Sequence, residues 1–190
     1  MKAKLTLLLA FSATVALHAQ TAAPLDTDAA ARALSVAPPH PRFVTKGIPS
    51  PIVARKYVRS KGVDVEIVEH ADGAKEEFNF VNMPVLFEKD TDKLLDRVSE
   101  ENVKKIAKVM KDQITETPTA KFQIEGHTSS EGSVDHNQKL SELRAARIFQ
   151  TLTQEYQVPA TALITEGLGA SQAQSPPNPA DRRVLVARPR

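Results

Sequence analysis

The sequence predicts an α+β fold, in which a small mixed sheet carries helices on one face and is preceded by a β-hairpin and a disordered linker. In the second half of the 190-residue chain, two segments with helical periodicity alternate with short apolar strands. Before them, apolar and polar residues alternate on both sides of a turn signal. Helices that alternate with strands favour a single sheet covered by helices.

The two helices are predicted from apolar residues that recur at helical spacing. Ser99 is placed to cap the first helix, and Pro118 follows its end. The second helix is expected from about Val134 to Gln154. Each helix then buries one face of a 3.6-residue period. The members of these faces are Val103, Ile106, Ala107, Met110 and Ile114 in the first helix, and Ser141, Ala145, Ile148 and Leu152 in the second.

Four short apolar segments predict the strands of residues 82–190. In the second of them, Phe122 and Ile124 alternate with polar neighbours, which is the period-two pattern of a half-buried strand. With the helices between them, the strands give the order β-α-β-α-β-β. The four segments are Met83–Phe87, Phe122–Gly126, Leu163–Gly167 and Val184–Val186.

A β-hairpin is predicted within residues 52–81. Val63, Val65 and Ile67 alternate with acidic residues, and Asp72-Gly73 is a turn signal. The chain then resumes an apolar alternation around Phe78. A two-stranded hairpin is marginally stable alone in water, so we expect it to pack on the domain that follows.

The first 51 residues are divided into a leader and a linker. Residues 1–19 resemble a secretory signal peptide, with Lys2 and Lys4 before an apolar run and Ala19 before the expected cut; cleavage after Ala22 or Ala23 is the alternative. The apolar run is shorter than the ~20 residues that span a bilayer, so a transmembrane anchor is not favoured. The Ala- and Pro-rich stretch of residues 20–51 predicts a flexible linker.

Composition excludes several classes of function. The chain has no Cys, which excludes a disulfide scaffold, a thiolate metal site and a Cys nucleophile. It has no Trp and only 5% aromatic residues, which argues against aromatic base stacking. Without Lys2 and Lys4 of the leader, 23 basic residues balance 23 acidic ones. This balance gives no electrostatic basis for binding nucleic acid, and no cofactor is predicted.

Four ordered motifs point to a family. They are Glu125-Gly-His-Thr-Ser-Ser-Glu-Gly132, Asn137-x-x-Leu-Ser-x-x-Arg-Ala145, Gly167-Leu-Gly169 and Asp181-Arg-Arg-Val184. Over about residues 80–190 the chain resembles the OmpA-like C-terminal domain family. The resemblance implies a βαβαββ fold and non-covalent binding of peptidoglycan, through the diaminopimelate residue of the stem peptide. It implies no catalysis.

The candidate ligand-binding residues are Arg144, Asn137, Arg182, Ser129 and Glu131. Asn137 and Arg144 are seven residues apart, about two helical turns, so they share one helix face. An Arg suits a ligand carboxylate because its planar fork pairs bidentately. The resemblance implies that Arg144 holds this carboxylate and that Asn137 and Arg182 line the same pocket. Alternatively, Arg144 pairs with a surface carboxylate, and Asn137 is a simple helix N-cap.

Ser129 stands where the family has an Asp that pairs with the ligand ammonium. A Ser can accept a hydrogen bond but carries no charge. Glu131 lies two residues further on, and we expect its carboxylate to supply the missing charge. The alternatives are that Ser129 acts as a neutral acceptor, or that ligand binding has been lost.

These observations favour an exported, periplasmic and non-catalytic peptidoglycan-binding protein that helps tether or organise the cell envelope. An outer-membrane protein is a possible partner class, and the protein itself is not expected to span the membrane. The alternative is a structural protein of the same fold that has lost its ligand and acts through protein partners. An enzyme would need an acid pair or a metal set in a cleft, and neither is predicted. His127 and His136 are not expected to bind metal, since no third ligand lies near.

Overall fold

A computed structural model of the chain describes residues 21–35, 51–60, 63–173 and 181–189. Three α-helices and six strands lie in these ranges. The helices are α1 (Thr27–Ser35), α2 (Arg97–Glu116) and α3 (Val134–Gln150), and a π-helical turn at Thr151–Glu155 continues α3. The strands are β1 (Ile52–Ser60), β2 (Val63–His70), β3 (Lys75–Met83), β4 (Phe122–Gly126), β5 (Leu163–Gly167) and β6 (Val184–Pro189).

The strands form one mixed sheet in the order β1-β2-β3-β6-β4-β5. Only the β4–β5 pair is parallel among the described pairs, and the others are antiparallel. From β3 onward the elements follow as β-α-β-α-β-β, so the predicted fold class is confirmed. The last strand, β6, is central in the sheet because it pairs with both β3 and β4.

The main core lies between the helices and one face of the sheet. Phe122 and Ile124 of β4, with Val184 and Val186 of β6, point toward the helices and are fully buried. The predicted helix faces are confirmed. Their fully buried members are Val103, Ile106, Ala107 and Met110 on α2, Ser141, Ala145 and Ile148 on α3, and Leu152 in the turn after it, while Ile114 is half-buried.

The predicted cap of the first helix is wrong. Asp96 is the N-cap of α2, and its carboxylate accepts a hydrogen bond of 2.7 Å from the Ser99 backbone N–H. The Ser99 hydroxyl is turned toward the preceding segment, where it accepts from the Leu86 backbone N–H. Asp and Ser are both good N-caps, and the sequence alone did not decide between them.

The predicted strand over Met83–Phe87 is also wrong in its extent. Met83 is the last residue of β3, which begins at Lys75. Pro84 follows, and it has no N–H to continue a ladder. Phe87 makes only an isolated bridge with Leu94.

The linker prediction is wrong for residues 21–35. Thr27–Ser35 forms α1, in which Ala30 and Leu34 are fully buried against the main core. The Asn102 side chain accepts from the Leu25 N–H at 2.8 Å and donates to the Ala23 carbonyl at 2.7 Å. Small apolar residues spaced three and four apart suffice to cover this part of the core. The rest of the predicted linker, residues 36–50, lies outside the described residues.

A third strand precedes the predicted hairpin. The Asp72-Gly73 turn joins β2 to β3 as expected, with Gly73 at φ +83°. β1 was not predicted, and it adds to the free edge of β2. Because β3 pairs with β6, these strands extend the sheet of the C-terminal part, and a domain boundary near residue 82 stays a prediction.

The predicted signal peptide, residues 1–19, lies outside the described residues. Within the described ranges, no helix has the length and apolarity needed to cross a membrane.

Candidate ligand-binding pocket

A cavity of about 580 Å³ opens where the loop after β4 meets the start of α3 and the segment between β3 and α2. Its walls contain both charged and apolar side chains. The lining residues are Leu86, Phe87, Lys89, Asp90, Leu95, Thr128, Ser129, Glu131, Gly132, His136, Asn137, Leu140, Arg144 and Arg182.

All five residues predicted for the site line this cavity. Asn137 and Arg144 reach it from one face of α3, as their spacing requires. Ser129 and Glu131 belong to the loop before α3. Arg182 enters from the segment before β6, whereas its neighbour Arg183 pairs with Asp181 at 3.4 Å.

Arg144 is a buried cation, 3% exposed. Its Nε donates to the Thr91 carbonyl at 3.1 Å, and its guanidinium lies 4.9 Å from the centre of the Phe87 ring. Burial, and then the charge of Arg182, lower its pKa to about 10, while Asp90 acts in the opposite direction. Within the described residues no carboxylate lies within ion-pair distance of Arg144. A buried cation of this kind favours an anionic ligand.

The opposite charge comes from the loop before α3. The Ser129 hydroxyl donates to Glu131 Oε2 across 3.4 Å. Asn137 donates from Nδ2 to the Glu131 backbone carbonyl at 2.9 Å, which ties the loop to the helix. The alternative reading of Asn137 as an N-cap is wrong, because Ser133 caps α3 by accepting from the His136 N–H.

The close approach of α3 to the sheet fixes the position of Asn137 and Arg144. A Cβ on Gly126 would lie 2.1 Å from the Ser141 carbonyl oxygen, and one on Gly167 would lie 2.6 Å from the Glu142 backbone nitrogen. Only Gly leaves room for the backbone of the helix at these distances. The glycines that end β4 and β5 therefore set the distance between α3 and the loop.

Among the lining residues that the sequence did not assign to the site, Phe87 and Asp90 are the two that act on Arg144. Phe87 was read as the end of a strand, but its ring forms one wall and contacts Arg144. Asp90 was not singled out. It adopts φ +56°, and its Oδ1 lies 3.6 Å from His136 Nε2. Asp tolerates this left-handed conformation better than most residues, and the run of charged residues after Phe87 was the signal available for it.

His127 does not belong to the pocket. It is 1% exposed and lies beside Glu125 on the face of the sheet opposite α2 and α3, with Nε2 3.5 Å from Glu125 Oε2. Burial, and then the charge of Arg183, lower its pKa to about 3. Over the described part of the chain, no group of three or more His, Asp or Glu side chains is arranged to hold a metal ion.

The fold and the pocket define a class of protein: a small α+β domain with a cleft that presents cations on one side and an acid on the other. The chain belongs to the OmpA family, whose model matches residues 86–186. This match covers α2, β4, α3, β5 and Arg182. β1, β2 and β3 precede it.

The chain is also similar to curated relatives and to solved structures. The chain is 32% identical over 108 residues to outer membrane porin F of Pseudomonas aeruginosa, covering 57% of this chain and 29% of the porin. It is 35% identical over 92 residues to outer membrane protein Omp38 of Acinetobacter baumannii, covering 48% and 25%. The chain thus spans less than a third of the length of either relative. The chain also superposes on the periplasmic domain of Helicobacter pylori MotB with a TM-score of 0.49 and 16% sequence identity. The superposition covers 70% of this chain and 87% of the MotB domain.

Proposed function

We propose that this protein is a non-catalytic peptidoglycan-binding module of the cell envelope, and that its pocket holds the diaminopimelate residue of the stem peptide. The observation that carries the proposal is the buried Arg144, which has no carboxylate partner among the described residues and lies in one cleft with Arg182, Ser129 and Glu131. Diaminopimelate offers a free carboxylate and a free ammonium. The two Arg residues suit the carboxylate, and Glu131 suits the ammonium.

An envelope role is supported by two further observations. The curated relatives of this domain are named as outer membrane proteins. The first 19 residues have the composition of a secretory leader. We place the protein in the periplasm, where it helps tether or organise the envelope, with an outer-membrane protein as a candidate partner.

The test is binding to purified peptidoglycan sacculi. Arg144→Ala should weaken binding at least about tenfold, because a charge-assisted pair with the ligand is lost. Arg147→Ala is the matched control: this residue lies on the same helix but is 43% exposed and pairs with Asp92. Free diaminopimelate should compete with sacculi for the wild-type protein. A folded Arg144→Ala protein that binds like wild type would contradict the proposal.

Ser129 favours a second candidate function. If the loss of the family Asp has abolished ligand binding, the protein keeps the fold and acts through protein partners in the envelope. Wild-type protein would then fail to sediment with sacculi, whereas Ser129→Asp would regain binding. Solubilisation of sacculi by the wild-type protein would instead indicate an enzyme.

A further inference from the structure

A buried cluster of charged side chains lies on the face of the sheet opposite α2 and α3, away from the pocket. Arg55 of β1 is its centre. One guanidinium nitrogen lies 2.7 Å from Glu66 Oε1 on β2 and 3.4 Å from Glu125 Oε1 on β4, and the other lies 2.7 Å from Glu166 Oε1 on β5. The side chains of Arg55, Glu66 and Glu125 are 7%, 1% and 0% exposed.

The cluster joins the two outer strands of the sheet. Although β1 and β5 are at opposite ends of the strand order, Arg55 donates to both carboxylate oxygens of Glu166, at 2.7 and 2.8 Å. The sheet therefore curls, so that Arg55 of β1 reaches across the face opposite α2 and α3. Tyr57, also on β1, adds an edge-to-face contact with Phe80, with ring centres 5.3 Å apart. We call β1 in this position the strap.

The charges of the cluster do not balance when all its carboxyl groups are ionised. One guanidinium faces three carboxylates, and two of these carboxylates are fully buried. Unpaired buried charge is costly, and a buried carboxyl group relieves the cost by keeping its proton. Burial, and then the neighbouring Glu125 carboxylate, raise the pKa of Glu66 to about 7.

Among the residues that the structure describes, the other groups that face Glu66 do not supply a compensating cation. Burial lowers the pKa of His127 to about 3, so its imidazole is neutral near pH 7. Burial likewise raises the pKa of Tyr57, so its phenol is neutral. Arg183, ahead of β6, already pairs with Asp181. On β3 the residue opposite Glu66 is Phe78, which has no charge.

We propose that β1 is a proton-dependent strap: a proton held among Glu66, Glu125 and Glu166 keeps Arg55 and β1 across the sheet, and loss of that proton releases β1. The strap precedes the segment that the family model matches, so the proposal does not depend on the proposed function.

Amide hydrogen exchange of the whole protein at pH 6.5 and pH 8.5, corrected for intrinsic exchange rates, tests the strap. An exposed His is about half protonated at pH 6.5 and neutral at pH 8.5, so exposure of His127 on opening raises protection with pH by at most about twofold. Linkage to Glu66, whose pKa is about 7, lowers protection of the β1 amides about fourfold, so wild-type protection should fall about two- to fourfold. Protection of β6, in the centre of the sheet, should stay higher than that of β1 at both pH values, because β6 opens only when the whole domain unfolds. Glu66→Gln keeps the shape of the protonated acid, so its β1 protection should not fall between pH 6.5 and pH 8.5.

Glu77→Gln is the matched control, because Glu77 is an exposed acid on the neighbouring β3 strand. It should behave like wild type. The proposal is overturned if wild-type β1 protection is unchanged, if β1 is protected as strongly as β6 at both pH values, or if Glu66→Gln shows the wild-type fall. Should Glu66→Gln not fold, carboxyl-carbon NMR of wild type decides. A Glu66 signal that titrates between pH 6 and 8 supports the strap, and one that titrates near 4.5 overturns it.

Discussion

The Ser129 hydroxyl and the Glu131 carboxylate face each other across 3.4 Å at the mouth of the pocket. This distance is long for an O–H···O hydrogen bond, so the Glu131 carboxylate keeps most of its capacity to accept from a ligand. The resemblance to the family implies an acid at the position of Ser129, and the Glu131 carboxylate lies beside this residue. We therefore expect Glu131 to supply the negative charge that Ser129 lacks.

Glu131→Gln should weaken sacculus binding about tenfold, because a ligand ammonium would then meet two Arg residues with no acid next to Ser129. Adding Ser129→Asp to the Gln variant should restore binding. Binding isotherms for the two single variants and the double variant measure this coupling. If Glu131→Gln binds like wild type, Glu131 does not replace the family Asp.

Arg144→Lys should lose most of the affinity that Arg144→Ala loses. A Lys keeps the positive charge but cannot form two parallel hydrogen bonds to a carboxylate or stack on the Phe87 ring in the same way. The same isotherms check this, with Arg147→Lys as the exposed control on α3. Wild-type affinity in Arg144→Lys would mean that charge alone recognises the ligand.

The five site residues were predicted from the motifs that resemble the family, and they line one cavity. The period of α3 accounts for Asn137 and Arg144 sharing a helix face, whereas Arg182 follows only from its motif. Asp90 was not predictable in this way, since its place in the pocket depends on a loop without periodicity.

The strap could not be predicted, because a half-buried strand is expected to bury its apolar residues, whereas β1 buries Arg55 and exposes apolar side chains. Arg55 points into the buried cluster, while Ile52 and Val58 of the same strand are 45% and 43% exposed. The burial of a charged residue can be predicted only when the residues that pair with it are known. Glu166, one of these partners, is 111 residues away in sequence. The helix α1 was missed for a related reason. Its apolar face is short, and it stabilises a helix only because it packs on the core that it covers.

Deleting residues 21–35 should lower the melting temperature, because α1 buries Leu34 and Ala30 in the main core. The single change Leu34→Ala should cost about 2–5 kcal/mol of unfolding free energy, the usual range for a fully buried Leu. Urea unfolding measures it, with Ala29→Ser, exposed on the same helix, as the control. An unchanged Leu34→Ala stability would show that α1 does not contribute to the fold.

Two buried groups should give opposite pH dependences of stability. The pKa of Glu66 is raised to about 7, so its stabilising contribution is present below about 4.5 and is lost as pH rises through 7. The pKa of His127 is lowered to about 3, so its contribution is present above about 6.5 and is lost as pH falls. Between pH 5 and 6.5 the Glu66 contribution falls with pH and the His127 contribution rises. The unfolding free energy of the wild-type protein should therefore change little with pH in this range.

When one of the two groups is removed, the pH dependence of the unfolding free energy should be that of the other group. In Glu66→Gln, the unfolding free energy should rise with pH between 5 and 6.5 more steeply than in wild type, by up to about 1.4 kcal/mol per pH unit. Urea unfolding at several pH values measures both proteins. Parallel wild-type and Glu66→Gln curves would mean that Glu66 has an ordinary pKa in the folded protein.

Gly126→Ala should disrupt both stability and ligand binding. A Cβ at this position would lie 2.1 Å from the Ser141 carbonyl oxygen, which is backbone of α3 and cannot turn away as a side chain can. The helix must therefore shift outward, and with it Asn137 and Arg144. We expect a loss of about 3 kcal/mol or more in unfolding free energy, at the upper end of effects of single substitutions.

Gly73→Ala separates this steric effect from the general cost of replacing a glycine. Gly73 lies at φ +83° in the β2–β3 turn, with nothing within 4 Å of the added Cβ. Its replacement should cost only about 1–2 kcal/mol, from backbone strain, and should leave sacculus binding unchanged. Gly126→Ala, measured in the same way and while still folded, should bind at least about tenfold more weakly than Gly73→Ala. Equal affinities would mean that the distance between α3 and β4 does not position Arg144 for its ligand.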